Sequence, residues 1–360
     1  MAVDSLSLRH FRNLEGAQLD FSPGFNLITG ANGAGKTSLL EALFYLGRAR
    51  SFRTRQAGQL IQAGQAAFLI LGRLSQPDSG SLPVGIEYGR QGQRIRLGGR
   101  PLQQVAELVE RLPLQLLNQD SHLLIEGGPR HRRRFLDWGV FHVEPGFYSL
   151  WRDYSRALRQ RNAALRGRAV PGQVQVWDSA LVEAAGRLDA MRRAYLERLR
   201  PHFQALLSEL TEMKAIDLAY RAGWPERQAY AEALQAGLES DLRQGFTKFG
   251  PHRADLLLSI GGVPVQSRLS RGQQKQLIMA LHLAQARLYV AERGRPCLFL
   301  VDDLPAELDA GHRERLLEQL RLQSAQVFVT AIEPQQIPRL DWVEPRRFHV
   351  EHGQVQEMVY

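Results

Sequence analysis

The octapeptide Gly30-Ala31-Asn32-Gly33-Ala34-Gly35-Lys36-Thr37 follows directly on the apolar run Phe25-Asn26-Leu27-Ile28-Thr29, and no other stretch constrains this chain as much. A buried strand must end there, a glycine-rich loop must turn the chain, and a helix must begin. The glycines let the backbone curl so that successive N–H groups point at one anion, and the helix brings its positive dipole end to the same place. Lys36 then reaches the outer phosphates and Thr37 offers its hydroxyl to Mg²⁺, so the predicted ligand is a nucleoside triphosphate. A chance match is a poor rival, since the chain holds only four lysines against 42 arginines.

At 360 residues, 44% of them hydrophobic, the chain has room for two domains with real cores. No run of some eighteen apolar residues could span a bilayer, and Met1-Ala2-Val3-Asp4-Ser5 lacks the basic-then-apolar layout of a secretory signal, so a cytoplasmic location is expected. The single cysteine, Cys297, cannot form an internal disulfide and opens the apolar run Cys297 to Val301, where a buried strand thiol is the natural reading. A net charge of +9 points to a polyanionic partner, although the excess of arginine over lysine also fits a coding bias.

Along the chain, strand-like pieces at Leu6 to Phe11, Gly16 to Phe21 and Phe25 to Thr29 precede a helix from Gly35 to about Leu46. Further short strands at Ala67 to Leu74, Val84 to Tyr88 and Arg94 to Leu97 read as an antiparallel flap. From about Leu102 to Gly245 the periodicity becomes helical, broken at Pro171-Gly172, without a heptad pattern long enough for an extended coiled coil. After Phe249-Gly250-Pro251 the α/β pattern returns: a strand at Leu256 to Ile260, a helix from Gly272 to about Glu292, the Cys297 to Val301 strand, a helix at Gly311 to Leu322 and a strand at Val327 to Thr330. The expected division is residues 1–101 and 247–360 as two parts of one nucleotide-binding lobe, with residues 102–246 as a helical lobe inserted between them.

Two further motifs fit that lobe. The apolar run Cys297 to Val301 ends in Asp302-Asp303, where Asp302 can hold Mg²⁺ through its water shell and Asp303 can polarise an attacking water. Leu269-Ser270-Arg271-Gly272-Gln273-Gln274-Lys275 opens a helix some thirty residues earlier, with Ser270 suited to cap it and Gly272 permitting close approach of an anion. An inserted domain explains why the acidic strand comes so long after the phosphate loop.

With Glu307-Leu308-Asp309, these elements resemble the head of an ABC-type ATPase: phosphate loop, signature motif, acidic strand and D-loop. That resemblance implies that Ser270, Gly272 and Gln273 of one copy reach the ATP held by another, in an ATP-gated homodimer. Among such heads the chain is similar end to end to the RecF family of bacterial DNA replication and recombinational repair proteins. The likeness is carried by Leu8-Arg9-His10-Phe11-Arg12-Asn13, the phosphate loop, Gly128-Pro129 with Arg132 to Asp137, Phe249-Gly250-Pro251-His252-Arg253, Gln273-Gln274-Lys275 and Asp302-Asp303. It adds Arg12 and Asn13 to the nucleotide-binding set of residues 30–37. It also implies action on single-stranded, gapped or junction DNA, help to RecO and RecR in loading RecA, and support of the SOS response. The fold it implies is α/β, an ABC-type head with a mostly helical insert.

Departures from transporter heads are informative. Arg271 stands where transporter signatures carry a second glycine, and Thr330 stands after the Val327 strand where they carry a switch histidine. A transport subunit therefore fits poorly, and the insert is far too short for the arms of a condensin- or Rad50-type protein. Asp303 is one methylene shorter than the glutamate of most ABC heads, which predicts slow ATP hydrolysis, and the family resemblance implies that DNA stimulates it. Gln115 and Gln119 both remain candidates for the Q-loop glutamine.

For nucleic acid, Arg130, Arg132, Arg133 and Arg134 cluster, and Arg152, Arg156 and Arg159 recur at helical spacing with Asp153 the only acid between Pro145 and Gly172. Phosphate-backbone contact is one reading. The other is a solvated helix face with Arg133 or Arg134 paired to Asp137. Apart from Trp151 and Tyr154, which read as core, no base-stacking aromatics are interleaved with these arginines, so sequence-specific readout is not predicted.

Overall fold

The computed structural model describes residues 2–76, 80–213 and 216–358. It divides into two compact units, Met1–Ser121 with Tyr289–Tyr360, and His122–Leu288.

In the first unit, Phe25–Thr29 is buried at every position and lies inside a six-stranded sheet. Strands buried on both faces read as continuous apolar runs, as Phe25–Thr29 and Leu298–Val301 do. The sheet order is Gln354–Met358, Arg346–Glu351, Phe25–Thr29, Gln326–Ala331, Leu298–Val301, Leu114–Leu117, parallel throughout except for the terminal hairpin. A second, antiparallel sheet runs Leu14–Asp20, Val3–Phe11, Phe68–Gln76, Gly80–Gly89, Gly92–Leu97, Arg100–Pro101, which is the expected flap with its first two strands included. Helix Lys36–Arg48 packs between them, its Leu39, Leu40, Leu43 and Leu46 at 0% exposure in one core with Leu8, Ile70, Leu300 and Phe328. Buried Gln326 stitches the sheets together, accepting from Val3 N–H and donating to the carbonyls of Val3 and Ser22.

The second unit is mostly helical, built on Pro129–Val143, Phe147–Arg166, Asp178–Leu210 and Tyr230–Gln244. Pro171 opens a short helix, Pro171–Gln175, between two long ones, as a first-turn proline can because its missing N–H has no intrahelical partner there. Two fully buried arginines organise the interior. Arg161 is held by Asp178 at 2.7 Å and Asp241 at 2.6 Å, and Arg192 forks onto Asp137 at 2.8 and 3.0 Å.

The boundaries differ from the expected ones at both ends of the insert. Residues 102–121 belong to the first unit, because Leu114–Leu117 pairs in parallel with Leu298–Val301 and completes its sheet. Residues 247–288 belong to the second, because Asp255–Ile260 pairs with Asp217–Arg221 and Arg132 forks onto Asp255. The strand expected from Cys297 begins at Leu298, with Cys297 buried just before it, where burial pushes its thiol pKa up. No helix among the described residues is long and apolar enough to cross a membrane.

Candidate functional site

The phosphate loop leaves the sheet at the C-terminal end of Phe25–Thr29, and Asp302 and Asp303 leave it at the same end two strands away. Ligands of open parallel sheets gather at that edge. Gly30 adopts φ 147, and a Cβ there would lie 2.2 Å from the Val350 carbonyl oxygen, so only glycine lets the loop pass the neighbouring strand. Gly35, at φ 127, precedes the helix with no side chain capping it. The N–H groups of the first helical turn, which have no intrahelical partners, are thus left for a ligand.

Lys36 folds back over the loop, donating from Nζ to the carbonyls of Gly30 at 2.8 Å and Ala31 at 3.0 Å. Burial lowers its pKa, against the opposing pull of Asp303 and Asp302. The Thr37 hydroxyl donates to both carboxylate oxygens of Asp302, at 3.0 and 3.1 Å. Burial raises the Asp302 pKa, and hydrogen bonds from Thr330 and Thr37 hold it back. Loop, lysine, threonine and both aspartates border a cavity of about 500 Å³ that Asn32, Gly33, Gly35 and Thr330 also line. Ala34, part-buried, closes the loop by donating its N–H to Ala31 O at 3.2 Å.

Arg12 and Asn13 line the same cavity. Asn13 braces the loop, donating to Ala34 O at 3.0 Å and accepting from the Ser38 hydroxyl at 2.7 Å. Arg12 forks onto Glu41 with two bonds of 2.8 Å, which ties it to the helix one turn beyond Thr37. Sequence reasoning missed Glu41, which is fully buried, and Arg53, which lies 3.6 Å from Glu41 with its side chain 48% exposed and bordering the cavity. Neither belongs to a short motif, so no local signal marked them.

The signature residues lie in the second unit, whereas the phosphate loop and the aspartates lie in the first. Ser270 and Gln273 form a reciprocal cap: Gln273 N–H donates to Ser270 Oγ at 3.3 Å, and Ser270 N–H donates to Gln273 Oε1 at 2.9 Å. Ser270, Gly272 and Gln273 are exposed at the start of Arg271–Arg293. Of the two Q-loop candidates, Gln115 is buried within its strand, while Gln119 is exposed beyond the strand end, whose Leu117 carbonyl accepts from Asp302 N–H at 2.9 Å.

The basic cluster resolves into two kinds of arginine. Arg132 pairs bidentately with Asp255 and Arg133 donates to Ala254 O, so both serve the interior. Asp137 takes a bidentate pair from the buried Arg192, a partner that sequence spacing did not offer. Arg152, Arg156 and Arg159 are exposed along Phe147–Arg166.

Fold and site together define an ABC-type ATPase head. The family model described as RecF/RecN/SMC N terminal domain matches residues 2–351. The DNA replication and repair protein RecF of Thioalkalivibrio sulfidiphilus (strain HL-EbGR7) is 44% identical over 354 residues, covering 98% of each chain. Its namesake from Edwardsiella ictaluri (strain 93-146) is 42% identical over 356 residues, covering 99% of each. The chain belongs to the RecF family of DNA replication and repair proteins. The solved structure of the recombination mediator protein RecF-ATP in the RecFOR pathway superposes with a TM-score of 0.88 at 25% identity, covering 99% of this chain and 98% of that one. An Smc head bound to the C-winged helix domain of ScpA, at 15% identity and a TM-score of 0.63, shares the fold.

Proposed function

We propose that this chain binds and slowly hydrolyses ATP with Mg²⁺, and that two copies close on the nucleotide while bound to gapped or junction DNA. In that state it helps RecO and RecR load RecA, in recombinational repair, replication restart and SOS induction in the cytoplasm. The observation that carries the reading is the meeting of Thr37 and Asp302, 265 residues apart in sequence, at the open end of the parallel sheet beside the phosphate loop. The ATP-bound RecF relative supports it.

Thr37 and Asp302 are the hard oxygen donors that suit Mg²⁺, and such an ion supplies charge neutralisation on the phosphates when bound. Lys36 exchanges its loop carbonyls for the outer phosphate oxygens. Asp303 orients the attacking water and accepts its proton. Gln119 is the Q-loop residue, because it stands past the end of its strand rather than within the sheet. Ser270, Gly272 and Gln273 present an exposed helix start to the nucleotide of the partner copy, and Arg152, Arg156 and Arg159 run along a DNA backbone.

Light scattering with Mg²⁺, a non-hydrolysable ATP analogue and DNA tests the reading. Wild type gives twice the single-chain mass, and Ser270→Arg binds nucleotide yet stays single. A wild-type chain that keeps single-copy mass under these conditions defeats the proposal.

A further inference from the structure

Thr330 belongs to Gln326–Ala331, the strand between the one that leads into the phosphate loop and the one that leads into Asp302. It is fully buried, and its sequence context marked it only as standing where transporter heads carry a switch histidine. Its hydroxyl accepts a hydrogen bond from the Asp303 backbone N–H at 2.6 Å and donates one to Asp302 Oδ1 at 2.8 Å. We propose that Thr330 is the positioning residue of this site, one hydroxyl setting the aim of both carboxylates.

The chemistry of a hydroxyl makes this possible, since it carries one proton to give and lone pairs to accept with. The proton goes to Asp302 Oδ1, which fixes the rotation of that carboxylate and holds both of its oxygens against the Thr37 hydroxyl, at 3.0 and 3.1 Å. The lone pair takes the N–H of Asp303, a residue held at φ 51 in the left-handed region that side-chain-bearing residues seldom occupy. Asp303 O in turn accepts from Ala306 N–H at 3.0 Å, so the turn is pinned on both sides. Threonine is stiff about χ1, and the strand fixes its backbone, so the hydroxyl has little freedom to follow the aspartates if they drift. Groups that orient ligating carboxylates in this way commonly matter 10–100-fold.

The role rests on the ATPase reading above. Thr330→Val keeps the shape and removes the hydroxyl, while Thr330→Ser keeps the hydroxyl. In Thr330→Val, kcat for ATP falls about 10–100-fold with KM within about threefold, and the gain in affinity for a fluorescent ATP analogue on replacing EDTA by Mg²⁺ shrinks about tenfold. Thr330→Ser stays within about threefold of wild type on both measures. A kcat for Thr330→Val within threefold of wild type, or a serine variant as impaired as the valine one, overturns the assignment. Hydrogen exchange at the Asp303 amide without nucleotide reads the contact itself: it is faster in Thr330→Val than in wild type or Thr330→Ser, and equal rates overturn the proposal. Exchange that differs as expected in a wild type that never turns over ATP upholds the contact and refutes the ATPase reading alone.

Discussion

Replacing Asp241 by asparagine should unfold the second unit far more easily than the same change at Asp178, although both carboxylates hold the one guanidinium of Arg161. Arg161 is 0% exposed, and Asp241 meets it at 2.6 Å with its own side chain 2% exposed. Asp178 meets it at 2.7 Å but is 22% exposed, so water can take over when that charge is removed. Removing one partner of a buried pair costs about 3–5 kcal/mol, because the remaining charge is left uncompensated. With Asp178 still in place, Asp241→Asn should fall at the low end, about 3 kcal/mol, and Asp178→Asn near 1 kcal/mol. At a urea slope of about 2 kcal/mol per molar, the midpoints drop by about 1.5 M and 0.5 M. Tryptophan fluorescence is a suitable assay, since Trp138, Trp151, Trp177 and Trp224 belong to the second unit and only Trp342 to the first. The double change Arg161→Met with Asp241→Leu removes the stranded charge and should recover most of the loss. A midpoint for Asp241→Asn no lower than that of Asp178→Asn refutes the reasoning.

Gly30→Ala places a Cβ 2.2 Å from Val350 O at φ 147, whereas Gly33→Ala meets nothing within 4 Å at φ 81. Thermal melts followed by circular dichroism should show a loss of about 3 kcal/mol for the first and about 1 kcal/mol for the second. His252, whose ring nitrogens bond the Tyr154 hydroxyl at 2.7 Å and Thr247 O at 3.0 Å, has its pKa lowered by burial from 6.5 to about 4. The unfolded chain takes up a proton near pH 6.5 that the folded chain refuses until about pH 4. The stability of the neutral site is therefore whole above pH 6.5 and lost by about 3 kcal/mol as pH falls to 4, and the urea-stability gap between wild type and His252→Gln should narrow over that interval. Changing Arg152, Arg156 and Arg159 together to alanine should weaken DNA binding and reduce the slope of log affinity against log salt by about 2–3, measured by anisotropy across a salt series.

The phosphate loop and the paired aspartates could be read from sequence because each is a local pattern, an apolar run ending in residues of fixed chemistry. Leu114–Leu117 could not, since four residues, three of them buried, carry too little period to tell a strand from a helix segment, and only pairing with Leu298–Val301 decides the matter. Arg346–Glu351, written Arg-Arg-Phe-His-Val-Glu, hid its strand behind polar positions, with only Phe348 and Val350 buried. Within the site, the contacts of Thr330 with Asp302 and of Arg12 with Glu41 span 28 and 29 residues and depend on which strands become neighbours. The roles of Arg132 and Arg133 escaped for the same reason: their partners Asp255 and Ala254 come 123 and 121 residues later.

Phe25–Thr29 finds both of its flanking strands, Gln326–Ala331 and Arg346–Glu351, in the last tenth or so of the chain, and Asn26 contacts Val327 across 301 residues. At about 5–20 residues per second on the ribosome, that strand waits on the order of 15–60 s for its neighbours, while His122–Leu288 emerges whole and can fold first. A polypeptide that lacks Gln326–Ala331 and Arg346–Glu351 therefore leaves Phe25–Thr29 without its sheet neighbours, and the loop that follows it without its support.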